Sequence, residues 1–294
     1  VLCQRVQVRY AFVARHRTRY PTRVLCRVLG VSVSGFHDYL HRQSARTDDA
    51  DAVLRTELRA IHAASNRSYG RHRLVRALRA RNHAVGHKRV ARLMAEERIQ
   101  GKIKGRSRRK TPAAGSAQLA PNLLDRQFTP GTGPSAWVGD ITYVATRQGW
   151  LHLAVVISIQ TRQVLGYSVS ERMTEDVVLK AFANAWALHP QPPGLIFHSD
   201  RGGQYWGNEY RQLLESCGVV QSMSRPGNCW DNAVAESFFA TLKAEAAADP
   251  YVSREQARQS IAAYIHGFYN PARLHTALGY QSPNTYARQL KAAA

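Results

Sequence analysis

The sequence Trp137-Val-Gly-Asp140-Ile-Thr-Tyr-Val-Ala145 begins the part of the chain that decides the fold. Two further apolar stretches, Trp150–Ile159 and Val164–Ser170, follow it after short polar turns. Three strands with such short connections predict an antiparallel meander. Asp140 stands in the middle of the first strand, where a carboxylate is costly unless its charge is compensated.

The elements after the meander alternate between helix and strand. Thr174 is a capping residue followed by two acids, so a helix is predicted from there to Leu188. The remaining predictions are strand Gly194–Ser199, helix Asn208–Cys217, strand Val219–Ser222 and helix Asp231–Ala247. This order predicts a mixed α/β fold with a five-stranded sheet and flanking helices, and it matches a ribonuclease H-like fold.

Two further acids accompany Asp140. Asp200 lies in His198-Ser-Asp200-Arg-Gly-Gly-Gln-Tyr205, where the glycines allow a DNA backbone to approach closely, and Glu236 lies on the predicted helix that starts at Asp231. Acids that converge in a cationic protein usually share a cation, and hard oxygen ligands select Mg²⁺ or Mn²⁺. Two such ions about 4 Å apart support phosphoryl transfer. Asp140, Asp200 and Glu236 are therefore the candidate catalytic and metal-binding residues.

The positive charge is concentrated in the first part of the chain. The net charge is +21; residues 1–133 contain 28 Lys/Arg against 8 Asp/Glu, and residues 134–294 contain 13 against 12. This distribution predicts a DNA-binding part followed by a nearly neutral catalytic part. Other nucleic-acid proteins are equally basic, so charge alone does not identify an enzyme.

Residues 20–43 predict a helix-turn-helix. Pro21–Leu29 forms its first helix and Ser32–Leu40 its second, with Ser32 or Ser34 as the cap. Ser34 and His37 on the second helix are candidate DNA contacts. An ordinary helical hairpin is the alternative.

The next helices are also rich in arginine. Residues 48–64 predict an amphipathic helix with Val53, Leu54, Leu58 and Ile61 facing inward, and Arg71–Arg81 and His87–Glu97 predict a second helical pair. A basic run and a stretch without periodicity follow, and they predict a flexible linker. The candidate DNA contacts here are Arg71, Arg73, Lys88, Arg89, Arg106, Arg108, Arg109 and Lys110. Asn232 and Lys243 share the helix face of Glu236 and complete this set, although Asn232 could instead cap the helix.

Together these blocks resemble insertion-sequence transposases whose second reading frame encodes a retroviral-integrase-like core with two Asp and one Glu. The resemblance covers nearly the whole chain, from Ser68-Tyr-Gly-Arg71 through the acidic blocks to Phe268-Tyr-Asn-Pro-Ala-Arg-Leu-His275. It implies that the three acids bind metal, and Mg²⁺ or Mn²⁺, two ions, is the expected cofactor. One departure is Ser158, where such proteins usually carry Asp.

The expected organisation has five parts. They are an N-terminal helix-turn-helix at 1–45, a second helical DNA-binding domain at 46–105, a basic linker at 106–133, the catalytic domain at 134–247 and a helical tail at 248–294. The resemblance implies double-stranded DNA partners (terminal inverted repeats and target), a homo-oligomer on paired ends, and a partner or fusion from an upstream frame. A cytoplasmic location is expected.

Two alternatives stay open at this point. Arg273, His275 and Tyr280 superficially match the set of a tyrosine recombinase, although they lie within eight positions and leave the acidic blocks unexplained. A non-catalytic DNA-binding regulator would have lost an acid, and all three are present. The four scattered cysteines contain no Cys-x-x-Cys pair, which argues against a zinc site. No apolar stretch is long enough to span a bilayer.

Overall fold

The computed structural model describes residues 4–44, 49–102, 120–131, 135–225 and 229–293. The predicted contacts Arg106, Arg108, Arg109 and Lys110 lie outside these ranges. The chain forms two compact units, one of residues 1–61 with 88–99 and the other of residues 62–87 with 100–294. The predicted domain 46–105 is therefore divided between the two units.

The first unit contains the predicted helix-turn-helix. Helices α1 (Val6–His16), α2 (Thr22–Val28) and α3 (Val33–Ser44) enclose a small core of Val13, Cys26, Leu29 and Phe36. The Oγ atom of Ser32 accepts a hydrogen bond from the Gly35 amide at 3.0 Å, so Ser32 caps α3 and Ser34 does not. Helix α1 is an addition that the sequence did not predict.

Ion pairs join the other two helices of this unit, α4 (Asp49–Ala64) and α6 (His87–Glu96). The buried Asp51 carboxylate pairs with Arg89 at 2.6 Å and with Arg92 at 2.7 Å. Leu54, Leu58 and Ile61 are buried as predicted. The inward prediction for Val53 is wrong, because the side chain is 53% exposed and the packed face of the helix runs through its neighbour Leu54.

The second unit, which we call the catalytic unit because it contains the catalytic domain predicted at 134–247, is built on a five-stranded sheet. Its strands are β1 (Ala136–Thr146), β2 (Gly149–Ser158), β3 (Val164–Ser170), β4 (Ile196–Ser199) and β5 (Val220–Met223), in the spatial order β3-β2-β1-β4-β5. The first three strands are antiparallel, whereas β4 pairs in parallel with β1 and with β5. The predicted meander and mixed sheet are confirmed, and the fold is ribonuclease H-like.

The sheet is covered by helices that the sequence predicted to within a few residues. Helix α7 (Glu175–Leu188) packs through Phe182 on Trp137 and Phe197, and helix α8 (Asn208–Ser216) adds Tyr210 to the same core. Helix α9 (Ala233–Glu245) packs against β1 and β2. The buried Ser158 at the end of β2 accepts a hydrogen bond from the Thr161 amide at 3.2 Å, the turn-stabilising bond that an Asp also makes.

The described end of the predicted linker is packed rather than extended away from the sheet. Leu124 is buried, Leu123 donates its amide to Ser222 Oγ at 2.9 Å, and Pro121 accepts a bond from the Met223 amide at 3.2 Å. The segment 120–131 thus belongs structurally to the catalytic unit. Its few apolar residues carry no periodicity, which is why the sequence did not reveal this packing.

The C-terminal tail forms α10 (Arg254–Ala262), a π-helical turn (Ala263–Tyr269) and α11 (Pro283–Ala293). It binds helix α5 (Arg71–Ala80) of the same unit. The Tyr69 hydroxyl accepts from the Leu274 amide at 2.8 Å and donates to the Ala272 carbonyl at 3.1 Å, and Arg73 donates to the Leu274 carbonyl at 3.0 Å. No helix in the described ranges is long and apolar enough to cross a membrane.

Candidate active site

Asp140 is a buried acid on β1, and its side chain lies on one defined face of the sheet. Its Oδ1 accepts a hydrogen bond from the Ile141 amide at 2.8 Å, and the residue is 6% exposed. The preceding residue must be glycine, because a Cβ on Gly139 would lie 2.5 Å from the ring of Phe197. That ring belongs to the core below α7, so Asp140, the next residue along the strand, faces the side of the sheet that carries α9.

Asp200 lies beside Asp140 because of the strand register. Gly139 on β1 pairs with Ser199 on β4, and the two strands are parallel. An aspartate follows each of these residues, Asp140 within β1 and Asp200 directly after β4, so the two acids occupy neighbouring positions. The Asp200 Oδ1 accepts from the Gly202 amide at 3.0 Å, which turns the chain sharply after the strand.

The pKa of Tyr205 is affected by both the Asp140 and the Asp200 carboxylates. This ring is 2% exposed and lies in the short 3₁₀ turn Gly203–Tyr205 after Asp200. Burial raises its pKa well above the ordinary value, and the negative charge of Asp140, and to a smaller extent that of Asp200, raises it further. The Tyr205 ring is therefore close enough to feel the charge of both aspartates.

Glu236 lies in the first turn of α9 and is exposed. The helix begins beside Asp140, because Asn232 donates from Nδ2 to the Gly139 carbonyl at 3.2 Å. Glu236 is four residues later and shares that helix face. Within the described ranges, no three His, Cys, Asp or Glu side chains lie close enough together to hold an ion. The structure thus brings Asp140 and Asp200 together and leaves the third acid on the adjacent helix start.

The start of α9 is fixed by a second, unpredicted acid, Asp231. Its side chain is fully buried and accepts from Arg225 Nε at 3.0 Å and NH2 at 2.9 Å, from Arg126 Nε at 3.1 Å and from Asn122 Nδ2 at 2.9 Å. The hydrogen bonds from the Arg225 side chain are the main reason that the pKa of Asp231 lies well below its usual range. We call Asp231, Arg225, Arg126 and Asn122 the Asp231 cluster.

His198 is a packing residue. It is fully buried, with Nδ1 2.8 Å from Ser222 Oγ and Nε2 3.2 Å from Ser224 Oγ. Burial lowers the pKa of His198 to about 4, so the ring is neutral at pH 7. Ser224 also accepts from Arg201 Nε through its carbonyl at 2.7 Å, and its amide donates to Ser199. These bonds hold the loop after Asp200 against the loop that leads to the Asp231 cluster.

The predicted DNA contacts fall into two groups. Ser34, His37, Arg71, Lys88 and Lys243 are exposed. Arg73 and Arg89 are instead bound to Leu274 and Asp51, as described above. Asn232 is buried against β1, and its Oδ1 has no hydrogen-bond partner among the described residues. For these three residues the structure shows a role inside the protein; their contact with DNA stays a prediction.

Arg273 and His275, two of the residues that match a tyrosine recombinase, make contacts inside the C-terminal tail. Arg273 is 2% exposed and forms two hydrogen bonds with Glu245, both 2.7 Å long, while Tyr264 donates to the same carboxylate at 2.8 Å. Arg273 also contacts His275 at 3.2 Å. The Arg273 and His275 pair thus serves the packing of the tail on α9.

Comparisons with known proteins identify relatives along nearly the whole chain. Residues 133–229 and 217–283 match two models of an integrase core domain, and residues 48–107 match an HTH-like domain. A 31 kDa protein of insertion element IS600 from Shigella sonnei is 39% identical over 89% of this chain and 97% of its own length. The transposase InsF for insertion sequence IS3A from Escherichia coli (strain K12) is 34% identical over 95% and 98%.

Among solved structures, the cryo-EM structure of a simian T-cell lymphotropic virus intasome in complex with the PP2A regulatory subunit B56 gamma is similar at 16% identity. It has a TM-score of 0.45 and matches 77% of this chain and 73% of that one.

Proposed function

The chain belongs to the insertion-sequence transposases with an integrase core domain, and we propose that it cuts the 3′ ends of its element and joins them to target DNA by direct phosphoryl transfer. The observation that carries this proposal is the pairing of Gly139 with Ser199, which makes Asp140 and Asp200 neighbours. A buried acid beside a second acid is costly unless a cation is shared.

The donor set fits a divalent cation. The Oδ1 atoms of Asp140 and Asp200 accept hydrogen bonds from the Ile141 and Gly202 amides, and both carboxylates are hard oxygen ligands. We propose Asp140, Asp200 and Glu236 as the residues that hold two Mg²⁺ or Mn²⁺ ions, with Glu236 approaching from the first turn of α9. When bound, such ions activate the attacking oxygen and stabilise the leaving oxygen.

The protein residues have the task of positioning. Asn232 fixes the start of α9 on β1, and the Asp231 cluster fixes the loop before it, so the helix that carries Glu236 starts beside Gly139. The same site serves two reactions: water attacks at the element end first, and the freed 3′-hydroxyl then attacks a target phosphate. This scheme uses no covalent bond between protein and DNA.

Exposed polar and basic residues are the proposed DNA contacts. Arg71 and Lys88 would contact phosphates, and Ser34 and His37 would recognise the terminal repeats. A homo-oligomer on paired ends, acting on DNA in the cytoplasm with a segment from an upstream frame, completes the proposal.

The test compares Asp140→Asn with Asp176→Asn. Asp176 is exposed on α7, and its carboxylate pairs with Lys180. Asp176→Asn is therefore a matched control substitution away from the site. Asp140→Asn is expected to lower Mg²⁺-dependent cleavage of element-end DNA by at least about 100-fold, because even residues behind the ligands cost about 10- to 100-fold. Thermal unfolding and DNA binding should stay unchanged. Cleavage by Asp140→Asn at the rate of the Asp176→Asn control would refute the proposed chemistry.

The assignment of Glu236 needs its own measurement. Calorimetric titration with Mn²⁺ should show weaker binding for Glu236→Gln than for the Asp176→Asn control. Unchanged Mn²⁺ affinity together with unchanged cleavage would remove Glu236 from the ligand set.

A further inference from the structure

An exposed aromatic cluster lies at the outer end of the β1–β2 hairpin. Tyr143 is 45% exposed, Trp150 59% and Met173 40%. The Tyr143 and Trp150 rings meet edge to face with centroids 6.2 Å apart, and the His152 ring is 5.1 Å from Tyr143. Rings of this size are normally buried, so a cluster with this much exposed area indicates a binding surface.

The cluster is connected to both chain segments that carry the candidate acids. Tyr143 is three residues beyond Asp140 on β1, about 10 Å along the strand, and because side chains alternate it lies on the face of the sheet that carries α7, opposite to Asp140. Its hydroxyl donates to Met173 Sδ at 3.3 Å, and the Met173 carbonyl accepts from Gln204 Nε2 at 3.3 Å. Gln204 lies in the turn that follows Asp200. Both acid-bearing segments therefore contact the cluster.

Cations stand around the same surface. Tyr143, Trp150 and His152 line a depression of about 680 Å³ together with Lys243, Arg254 and Glu171. Glu171 pairs with Arg254 at 2.7 Å, and the two cations Lys243 and Arg254 outnumber this one acid in the lining. Aromatic faces flanked by cations are the combination that binds unpaired nucleotides, because bases stack on the rings and phosphates meet the cations.

We propose that Tyr143, Trp150 and Met173 form a stacking platform for an unpaired base of the DNA strand next to the scissile phosphate, with Lys243 and Arg254 facing its phosphates. This inference rests on the proposed function, because it takes the strand that Asp140 and Asp200 act on as the occupant.

The experiment measures binding without cleavage. The full chain in EDTA and about 0.3 M salt, where phosphate contacts elsewhere are weakened, is titrated into a 12-nucleotide single-stranded DNA that carries 2-aminopurine. Trp150→Ala should bind about 5- to 150-fold more weakly, the effect of one lost stacking contact, and should lose the quenching of 2-aminopurine. Trp150→Phe keeps a ring and should retain most of both. Leu188→Ala removes another exposed apolar side chain, 72% exposed, and should change neither.

Two results would overturn the platform. One is equal affinity and equal quenching for Trp150→Ala and the Leu188→Ala control. The other is a change in mass by light scattering for Trp150→Ala without a change in DNA binding, since the surface would then be a contact between copies of the chain. Neither result depends on catalysis, so failure of the platform and failure of the proposed chemistry, tested by Asp140→Asn, are separate outcomes.

Discussion

Replacing Arg273 by Met is expected to destabilise the catalytic unit by about 3–5 kcal/mol. Arg273 and Glu245 have side chains only 2% and 5% exposed, and among the described residues the guanidinium donates two hydrogen bonds to the carboxylate and Tyr264 donates one. Met fills a similar volume but leaves the Glu245 charge buried, with the Tyr264 hydroxyl as its remaining donor in the described part of the chain. The cost is that of an uncompensated buried charge, not of lost packing.

Tryptophan fluorescence during urea unfolding measures this loss in the full chain. All five tryptophans follow residue 133 and lie in the catalytic unit, so the signal reports on that unit alone. Lys180→Met breaks the exposed pair with Asp176 and should cost only about 0.3–0.5 kcal/mol. The double variant Arg273→Met/Glu245→Gln should recover a large part of the stability, because neither charge is then left unpaired. An Arg273→Met cost as small as that of Lys180→Met, or a double variant that loses the sum of both single losses, would refute the reasoning.

Three further predictions concern charge and recognition. The pKa of Asp231 is lowered in the folded state, so the stability that this carboxylate contributes is present above its unfolded pKa of about 4 and is lost progressively as the pH falls below that value. Urea midpoints measured between pH 6 and pH 3 should therefore fall less steeply for Asp231→Asn than for the unchanged chain. Parallel curves would contradict this. Replacing Arg106, Arg108, Arg109 and Lys110 by Gln should weaken binding to all duplex sequences and reduce the slope of log affinity against log salt by up to about 3–4. A salt titration followed by fluorescence anisotropy measures this slope. An unchanged slope would exclude phosphate contacts by these four residues. Ser34→Ala and His37→Ala should lower the preference for element ends over random DNA while leaving the salt slope nearly constant, and competition binding that shows equal losses on both DNAs would remove α3 from recognition.

The elements of the catalytic fold could be predicted because their sequence signals are local. Strand β3 was predicted with its observed limits, and β1 and β2 to within one residue at each end, since apolar runs between short polar turns define them. The parallel pairing of β1 with β4 is not local, and only the structure shows the register that makes Asp140 and Asp200 neighbours. Glu236 shows the same limit, because the helix was evident but its place beside Gly139 depends on the Asn232 contact.

Arginines were the least predictable residues. A sequence gives their number and helix face but not their partners, and the density near α5 and α6 suggested phosphate contacts throughout. Arg89 instead neutralises the buried Asp51, and Arg73 holds a tail carbonyl about 200 positions later in the chain. Asp231 was visible in the motif beside Glu236, but its role depends on Arg126 and Asn122, which stand in a stretch with no pattern of its own.

The contacts of Tyr69 and Arg73 change what the basic charge of α5 can do. Charge on a separately moving domain would raise DNA affinity without fixing where the DNA lies. Helix α5 is instead bound to the tail through Leu274, and Arg76 lies over the Tyr280 ring at 4.9 Å. The tail is in turn bound to α9, the helix of Glu236, through the Arg273 and Glu245 pair. Phosphates held by the exposed Arg71 would therefore lie at a set distance from the candidate active site, because a series of partly buried and buried polar contacts joins α5 to α9.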